Sequence, residues 1–463
     1  MGKKFASIFL IMSLVVSLLL TGCGTSNTAV KTDDKSPTGK VDLIKYNLLG
    51  GKPFAGKSIK LLTTAKGTTQ FTAMENQSKE FTDLTGINVV WDYTPWGAYQ
   101  EKFMTEATAG SGNYDLMAWI DAWGAGVKNY LLPLDDLIKR DGIDMADYPK
   151  GFVESVKIGT DKTLGMPFRG HGLVLYYNKE VFKKLGLTPP KTWDEMVETS
   201  KKIEQQTTMK GIALPYVVSN GQNLMVWYSL LWGNGGDLFD KDWNPIFNNQ
   251  KGVDATQRYV DFLLKDKIIS PNAKMMTEAD AATEMQQGRT AMSITWSWYY
   301  DQFRDAKKSV PGVLNNVGIA SIPMNPEQKD PITYSVNFGI SIPKDSKNQE
   351  AAWEYMKFIN SKEIEKKIVI DKSSPNILSV VTMHNSNLLD ADVNKANDGL
   401  QKITYDVLKM SRMLPITPQW LEVQSALEVG MNKIASGAPT QSTLDEVAKG
   451  VKAIMERAGY YKK

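Results

Sequence analysis

The first sustained pattern along the chain alternates strand and helix periods. "GKSIKLLTT" (residues 56–64) has an apolar centre flanked by polar residues, the mark of a buried strand. Phe71, Met74, Ser78, Phe81 and Leu84 then fall at helical intervals, and Gly86 directly after Thr85 supplies a stop. "INVVW" (87–91) resumes as a strand, so the body opens β–α–β, the unit of a parallel sheet. The alternation continues through "YDLMAWI" (114–120), a helix-like "WGAGVKNY" (123–130) and a further strand, "GLVLYYN" (172–178). Thr192 and Glu195 have the Thr-x-x-Glu spacing of a capping box at the head of "KTWDEMVETSKKIEQQ" (191–206). "NQEAAWEYMKFINS" (348–361) is amphipathic, with Ala352, Trp353, Tyr355, Met356 and Ile359 on neighbouring rows. Thr443 and Glu446 repeat the capping box ahead of an apolar face of Leu444, Val447, Val451 and Ile454. The whole reads as α/β with a helix-rich second half.

The N-terminus follows a different pattern. Lys3 and Lys4 precede an apolar run, Phe5–Leu20, which ends in "LTGC" with Cys23 the only cysteine of the chain. This has the form of an export signal, and its ending resembles a bacterial lipobox, which implies lipidation of Cys23 and anchoring at the outer face of the cell membrane. The alternative is a membrane-spanning helix, for which about 17–25 apolar residues suffice. The stretch 24–40 is small and polar and reads as a flexible tether. The expected division is therefore a signal peptide over 1–22 and a lipidated cysteine with its tether over 23–55.

Composition narrows the function. The 463 residues are 42% hydrophobic and 23% charged, ordinary globular values that suit two domains or lobes. A net charge of +3, from 54 basic and 51 acidic residues, offers no electrostatic grip on nucleic acid. With two histidines and one cysteine, a soft-metal site is not expected, and neither is any cofactor. No phosphate-binding glycine loop, nucleophile elbow or zinc-protease motif occurs. "DKDWNPIFNNQK" (240–251) begins like a calcium loop, but Pro245 and Lys251 stand where that loop needs Gly and Glu, so a hairpin turn is expected. The remaining oddity is "ITWSWYY" (294–300). Extended, it would put Trp296, Trp298 and Tyr300 on one side and Thr295, Ser297 and Tyr299 on the other.

Six segments carry a resemblance: "SKEFTDLTGINVVW", "YDLMAWIDAWGAGVKNYLLPLDDLI", "GMPFRGHGLVLYYNKEVFKKLGLTPPKTWDEM", "MQQGRTAMSITWSW", "FGISIPKDSKNQEAAWEYMKFINS" and "MNKIASGAPTQSTLDEVAKGVKAIM". In this order they resemble the family 1 extracellular solute-binding proteins of ABC importers, the group that contains maltose-binding protein. The resemblance implies a two-lobed periplasmic-binding-protein-like fold of type II, each lobe a sheet flanked by helices and closing on ligand by a hinge. Crossings are expected near Gly165–Gly170 and Pro331–Gly339. The first lobe would take residues 56–166 and 291–340, the latter including crossing segments, and the second would take 167–290 and 341–463. The implied role is a monomeric, non-enzymatic receptor that delivers a sugar or oligosaccharide to ABC permease subunits. Alternatives are a binder of a non-sugar solute such as a polyol phosphate, a secreted carbohydrate hydrolase, or a sensory partner of a membrane kinase.

Sugars offer apolar faces and rings of hydroxyls, so flat aromatics and planar polar groups are the expected partners. By resemblance the stacking residue is Trp298, with Trp296 behind it and Trp420 at a second stacking position; burial in the core is the competing reading for the first two. Asp121 lies where sugar-binding relatives place a carboxylate, although it could equally cap a helix. Trp119 and Trp123 flank it. His171 stands where the maltose binder has an acidic residue, and Arg169 is beside it. Lys66, Thr68 and Thr69 supply polar groups from the first loop, Gln222 and Asn223 from the opposite lobe, and Asn337 from the second crossing. Tyr299 and Tyr300 are assigned to the core.

Overall fold

The computed structural model describes residues 38–64, 66, 69–370 and 381–461. Its strands are β1 (Ser58–Thr64), β2 (Asn88–Thr94), β3 (Leu116–Ile120), β4 (Met166–Asn178), β5 (Lys210–Ala213), β6 (Thr290–Trp296), β7 (Val317–Ala320) and β8 (Ser335–Ser341). They pair in the order β2-β1-β3-β8-β4-β6-β5, with β7 also on β4. β1 runs parallel to β2 and β3, as the β–α–β opening requires, while β8 lies antiparallel to β3. The helix between β1 and β2 is Thr69–Thr85, and Gly86 after it has φ of +76°, the left-handed stop that glycine adopts without strain.

β4 joins two sheets. Its residues Met166–Gly172 pair with β8 in the first sheet, and Leu173–Tyr177 pair with β6 in the second. The crossing therefore falls at Gly172 and Leu173, just beyond the expected Gly165–Gly170. Each sheet has its own core. Phe71, Phe81, Trp91, Trp353, Tyr355 and Phe358 pack on the first, and Trp193, Trp227, Tyr259, Phe262 and Trp420 on the second. A smaller cluster of Tyr99, Phe103 and Trp119 packs with Leu62 of β1 and Met117 of β3. The fold is the expected two-lobed α/β one.

The lobe boundaries differ from the expected ones. β6 pairs with β4 and β5, so residues 290–296 belong to the second lobe. The helix Gln349–Ile359 buries Trp353 and Tyr355 in the first core, so the chain just after 341 belongs to the first lobe. The helices Trp420–Ala435 and Thr440–Arg457 return to the second core. An amphipathic pattern reveals that a helix buries one face, but not which sheet receives it.

The tether also ends earlier than residue 55. A helix covers Thr38–Lys45, and beyond it Tyr46 and Leu48 are buried. The Tyr46 hydroxyl donates to Glu80 at 2.8 Å, and its ring meets Phe358 edge-on at 4.8 Å. Tyr46 and Leu48 supply the apolar surface that docks this segment. The signal segment and Cys23 lie outside the described residues; among those described, no helix is long and apolar enough to cross a membrane.

Local signals fared unevenly. Thr192 accepts the Glu195 N–H at 3.1 Å, but the Glu195 carboxylate takes the Lys191 N–H rather than completing a box. Thr443 lies inside a helix that starts at Thr440, with Pro439 in the capping position before it. "WGAGVKNY" contributes to two short 3₁₀ turns, Asp121–Gly126 and Lys128–Tyr130. Asp240 accepts the backbone N–H groups of Asp242 and Asn244, and Phe239 bridges to Pro245, which makes that segment a turn.

Candidate functional site

The site is built where β4 leaves one sheet for the other. There Arg169 faces Phe338, Gly170 faces Asn337, and His171 faces Val336 across the β4–β8 ladder, just after an irregularity between Pro167 and Arg169. The Arg169 side chain is only 6% exposed. Its guanidinium lies over the rings of Phe71 and Phe338, 4.9 and 5.3 Å from their centroids. Its Nε donates to Nε2 of His171 at 2.8 Å, and His171 Nδ1 stands 3.1 Å from the Ser297 hydroxyl. Because Nε2 accepts, the ring proton sits on Nδ1 and is donated to Ser297. Burial, reinforced by the Arg169 charge, holds His171 far below its ordinary pKa and therefore neutral. Burial pulls Arg169 down to about 10, which still leaves it cationic at neutral pH. Ser297 begins the turn after β6, so this chain of contacts ties the first lobe's end of β4 to the second lobe.

Asp121 opens the 3₁₀ turn after β3 and is buried. One carboxylate oxygen accepts its neighbour Ala122 N–H at 2.7 Å, and the other accepts Asn337 N–H at 3.0 Å. Burial raises its pKa to about 7, with those two hydrogen bonds opposing the rise. Asn337 spends its side-chain NH₂ on Ser155 at 2.8 Å, while its Oδ1 is buried with no partner among the described residues. Ile120 and Ala122, on either side of Asp121, pack against the second lobe's core, so this turn lies on the interlobe boundary.

From the second lobe comes an aromatic wall around Glu278. Trp296 and Tyr299 donate to its two oxygens at 2.9 and 3.0 Å, and Gln222 accepts its backbone N–H at 2.7 Å. Burial raises the Glu278 carboxyl against those two side-chain donors. Trp296 meets Tyr334 edge-on at 5.1 Å, and Tyr334 meets Tyr228 at 5.3 Å. Burial first, then the charges of Asp121 and Glu278, push the Tyr334 hydroxyl well above its usual pKa.

The structure thus gathers Asp121, Arg169, His171, Gln222, Trp296 and Asn337 at one boundary. It corrects the expected side of Trp298. β6 ends at Trp296 and the chain turns through Ser297–Tyr299, so strand alternation stops short; Trp298 is half-buried and stacks on Tyr299 at 4.0 Å. Trp119 is a second correction. It is fully enclosed, its indole donates to Ser341 at 2.8 Å, and a Cβ on Gly124 or Gly339 would come within 2.6 Å of its ring. Trp420 and Asn223 are also sealed, the first donating to Gln424 and the second to the Glu428 carbonyl. Trp123, in the same turn as Asp121, packs among Trp96, Tyr99 and Phe103, and the Trp96 ring lies 6.4 Å from Phe338. Lys66 is exposed after β1, Thr68 lies outside the described residues, and Thr69 opens a helix with its side chain undescribed. Tyr299 and Tyr300 are buried, as expected. Glu278, Ser297 and Tyr334 escaped sequence reasoning. Tyr334 lies inside the expected second crossing and could have been singled out there, whereas nothing around Glu278 distinguishes it from a surface helix start.

The family model described as bacterial extracellular solute-binding protein matches residues 65–366. This chain belongs to that family. A relative in Sinorhizobium fredii, described as a probable amino-acid ABC transporter periplasmic-binding protein, is 24% identical over 89% of this solute-binding protein and 92% of its own length. A maltooligosaccharide ABC transporter solute-binding lipoprotein of Streptococcus pneumoniae is also 24% identical, with 81% of each chain covered. Among solved structures, maltose-bound MalE3 of T. maritima superposes with a TM-score of 0.74 at 21% identity, covering 86% of this chain and 99% of that one. The protein is an ABC-transporter solute-binding protein with the two-lobed fold of that structure. Among the described residues no cluster of metal-ligating side chains occurs.

Proposed function

We propose that this protein is a lipid-anchored receptor that captures a sugar or oligosaccharide between its lobes and hands it to the membrane permease of an ABC importer. The observation that carries the reading is the interlobe set of planar polar and aromatic groups. Asn337 Oδ1 has no partner among the described residues, Asp121 sits beside it, and Trp296 and Tyr334 offer ring faces and edges, with Trp298 on the turn that follows. Rings stack on the C–H faces of a sugar while amide and carboxyl groups take its hydroxyls. Closure on ligand removes these groups from water and presents the permease with a different shape, so occupancy is reported by differential contact with the closed form. Maltose and maltooligosaccharides in the names of a solved neighbour and a relative support a saccharide. The Sinorhizobium relative's name supports an amino acid as the second reading. Anchoring rests on "LTGC" and on the relative described as a lipoprotein.

The test is a thermal-shift screen of the mature chain against mono- and oligosaccharides, polyols and amino acids, since a ligand that binds only the folded state raises the midpoint. A shift with saccharides is expected; a shift with amino acids alone sinks the sugar reading. Replacing Cys23 with Ala in the full-length precursor should release the protein from the membrane fraction.

A further inference from the structure

We propose that the captured solute carries an anionic group, a carboxylate or phosphate on a sugar or polyol framework, and that Arg169 is the residue that receives it. This rests on the saccharide reading above and specifies the chemical class of ligand for that site.

Arg169 is 94% buried, and its side chain's only hydrogen bond to a described residue is the one from Nε to His171. His171 is neutral, so it orients the guanidinium without cancelling its charge. Phe71 and Phe338 cover guanidinium faces and also leave the charge uncancelled. The guanidinium donors lie in the plane of the group, and the four N–H bonds on its two Nη atoms find no acceptor among the described residues. Among the described residues no carboxylate forms an ion pair with Arg169. The two acids at the boundary are engaged elsewhere, Asp121 by the N–H groups of Ala122 and Asn337, and Glu278 by Trp296 and Tyr299.

A buried cation without a counter-ion is costly, and proteins rarely keep one. The arrangement becomes favourable when an external anion accepts from the free Nη edge. A planar fork fits a carboxylate or phosphate with two parallel hydrogen bonds, which lysine could not reproduce. His171 and the two phenylalanines hold the fork in place beforehand, so little side-chain freedom is lost on binding. The hydroxyls of a neutral sugar would leave the charge uncompensated.

The experiment is titration calorimetry on the purified mature chain, its Arg169→Gln variant and its Arg169→Lys variant. The probes are maltotriose and mannitol, trigalacturonate, sorbitol 6-phosphate, and L-glutamate. Trigalacturonate or sorbitol 6-phosphate is expected to bind, and which of them does identifies a uronate or a phosphate ester as the anion. Arg169→Gln should weaken that binding roughly 10- to 100-fold, the loss of a charge-assisted hydrogen-bonded contact, and Arg169→Lys should restore only part of it. Binding of maltotriose or mannitol that is unchanged by Arg169→Gln overturns the inference and leaves sugar capture standing. Binding of L-glutamate with no saccharide or polyol overturns the sugar reading itself. If the glutamine variant fails to fold, the lysine variant decides: full affinity for the anionic probe overturns the role given to Arg169.

Discussion

Two buried cations in this protein are treated in opposite ways. Lys357, on the helix Gln349–Ile359, has a side chain 2% exposed and sits 2.8 Å from both Asp141 and Glu354. Those carboxylates have further donors: Trp353 reaches Asp141 at 2.7 Å, and the Leu49 N–H reaches Glu354 at 2.8 Å. Against the desolvation of burial, Arg140, Lys357 and Trp353 hold the Asp141 carboxyl well below its ordinary pKa. Arg169 is similarly buried, but among the described residues its guanidinium meets a neutral imidazole and two phenylalanine rings and no carboxylate. Where a buried charge serves the fold, the chain supplies its partners. At the interlobe boundary it pre-positions a cationic donor that no carboxylate among the described residues pairs with. The difference marks which cation belongs to architecture and which to a ligand.

The contrast can be broken most forcefully at Lys357. Lys357→Met leaves Glu354 buried without its cation and Asp141 with Arg140 alone, and should cost about 3–5 kcal/mol in urea denaturation. A loss below about 1 kcal/mol would mean that the network is solvated rather than structural. Next comes Asp121, whose pKa is raised in the fold. The native state then binds more protons than the unfolded chain between the carboxyl's ordinary value of 3.8 and about 7, so its contribution to stability declines as pH rises through that window. The decline is at most about 4 kcal/mol, from roughly three pKa units at 1.36 kcal/mol each. Asp121→Asn should remove that part of the slope, and an unchanged slope between pH 4 and 7 would exclude Asp121 as its source. Smaller still is the effect of Arg169→Gln on the unliganded protein. Relieving an uncompensated buried charge should leave stability within about 1 kcal/mol of the parent or raise it; a drop like that of Lys357→Met would erase the comparison. Smallest is Trp298→Ala, which should move the unliganded midpoint only slightly because the ring is half-buried, yet abolish the shift produced by a bound saccharide. A large fall in the unliganded midpoint would return Trp298 to the core.

Much of the fold was legible because strand and helix periods are local. β1, the helix after it, β2 and the amphipathic helix Gln349–Ile359 all appear where the pattern puts them. Resemblance located the boundary segments around Asp121, His171 and Asn337. Three things were not legible. Whether Trp119 faces a core or a cleft depends on what packs above it, here Gly124 and Gly339 leaving room for its ring. Trp298 was misplaced because alternation holds only while the strand lasts, and the strand ends at Trp296. Glu278 joins the site only because Trp296, 18 positions further on in sequence, returns along β6 to its side chain.

The sequence alone therefore determined the element types, the two-lobed family and the segments that border the cleft, because these depend on near neighbours and on motifs read in order. Only the tertiary structure decided that β6 belongs to the second lobe and that the helix Gln349–Ile359 closes the first. It alone sealed Trp119, ended the strand before Trp298, and left Arg169 buried without a counter-ion among the described residues. Each of these is set by contacts between residues far apart in the chain, and no local pattern encodes which partner a buried side chain will meet.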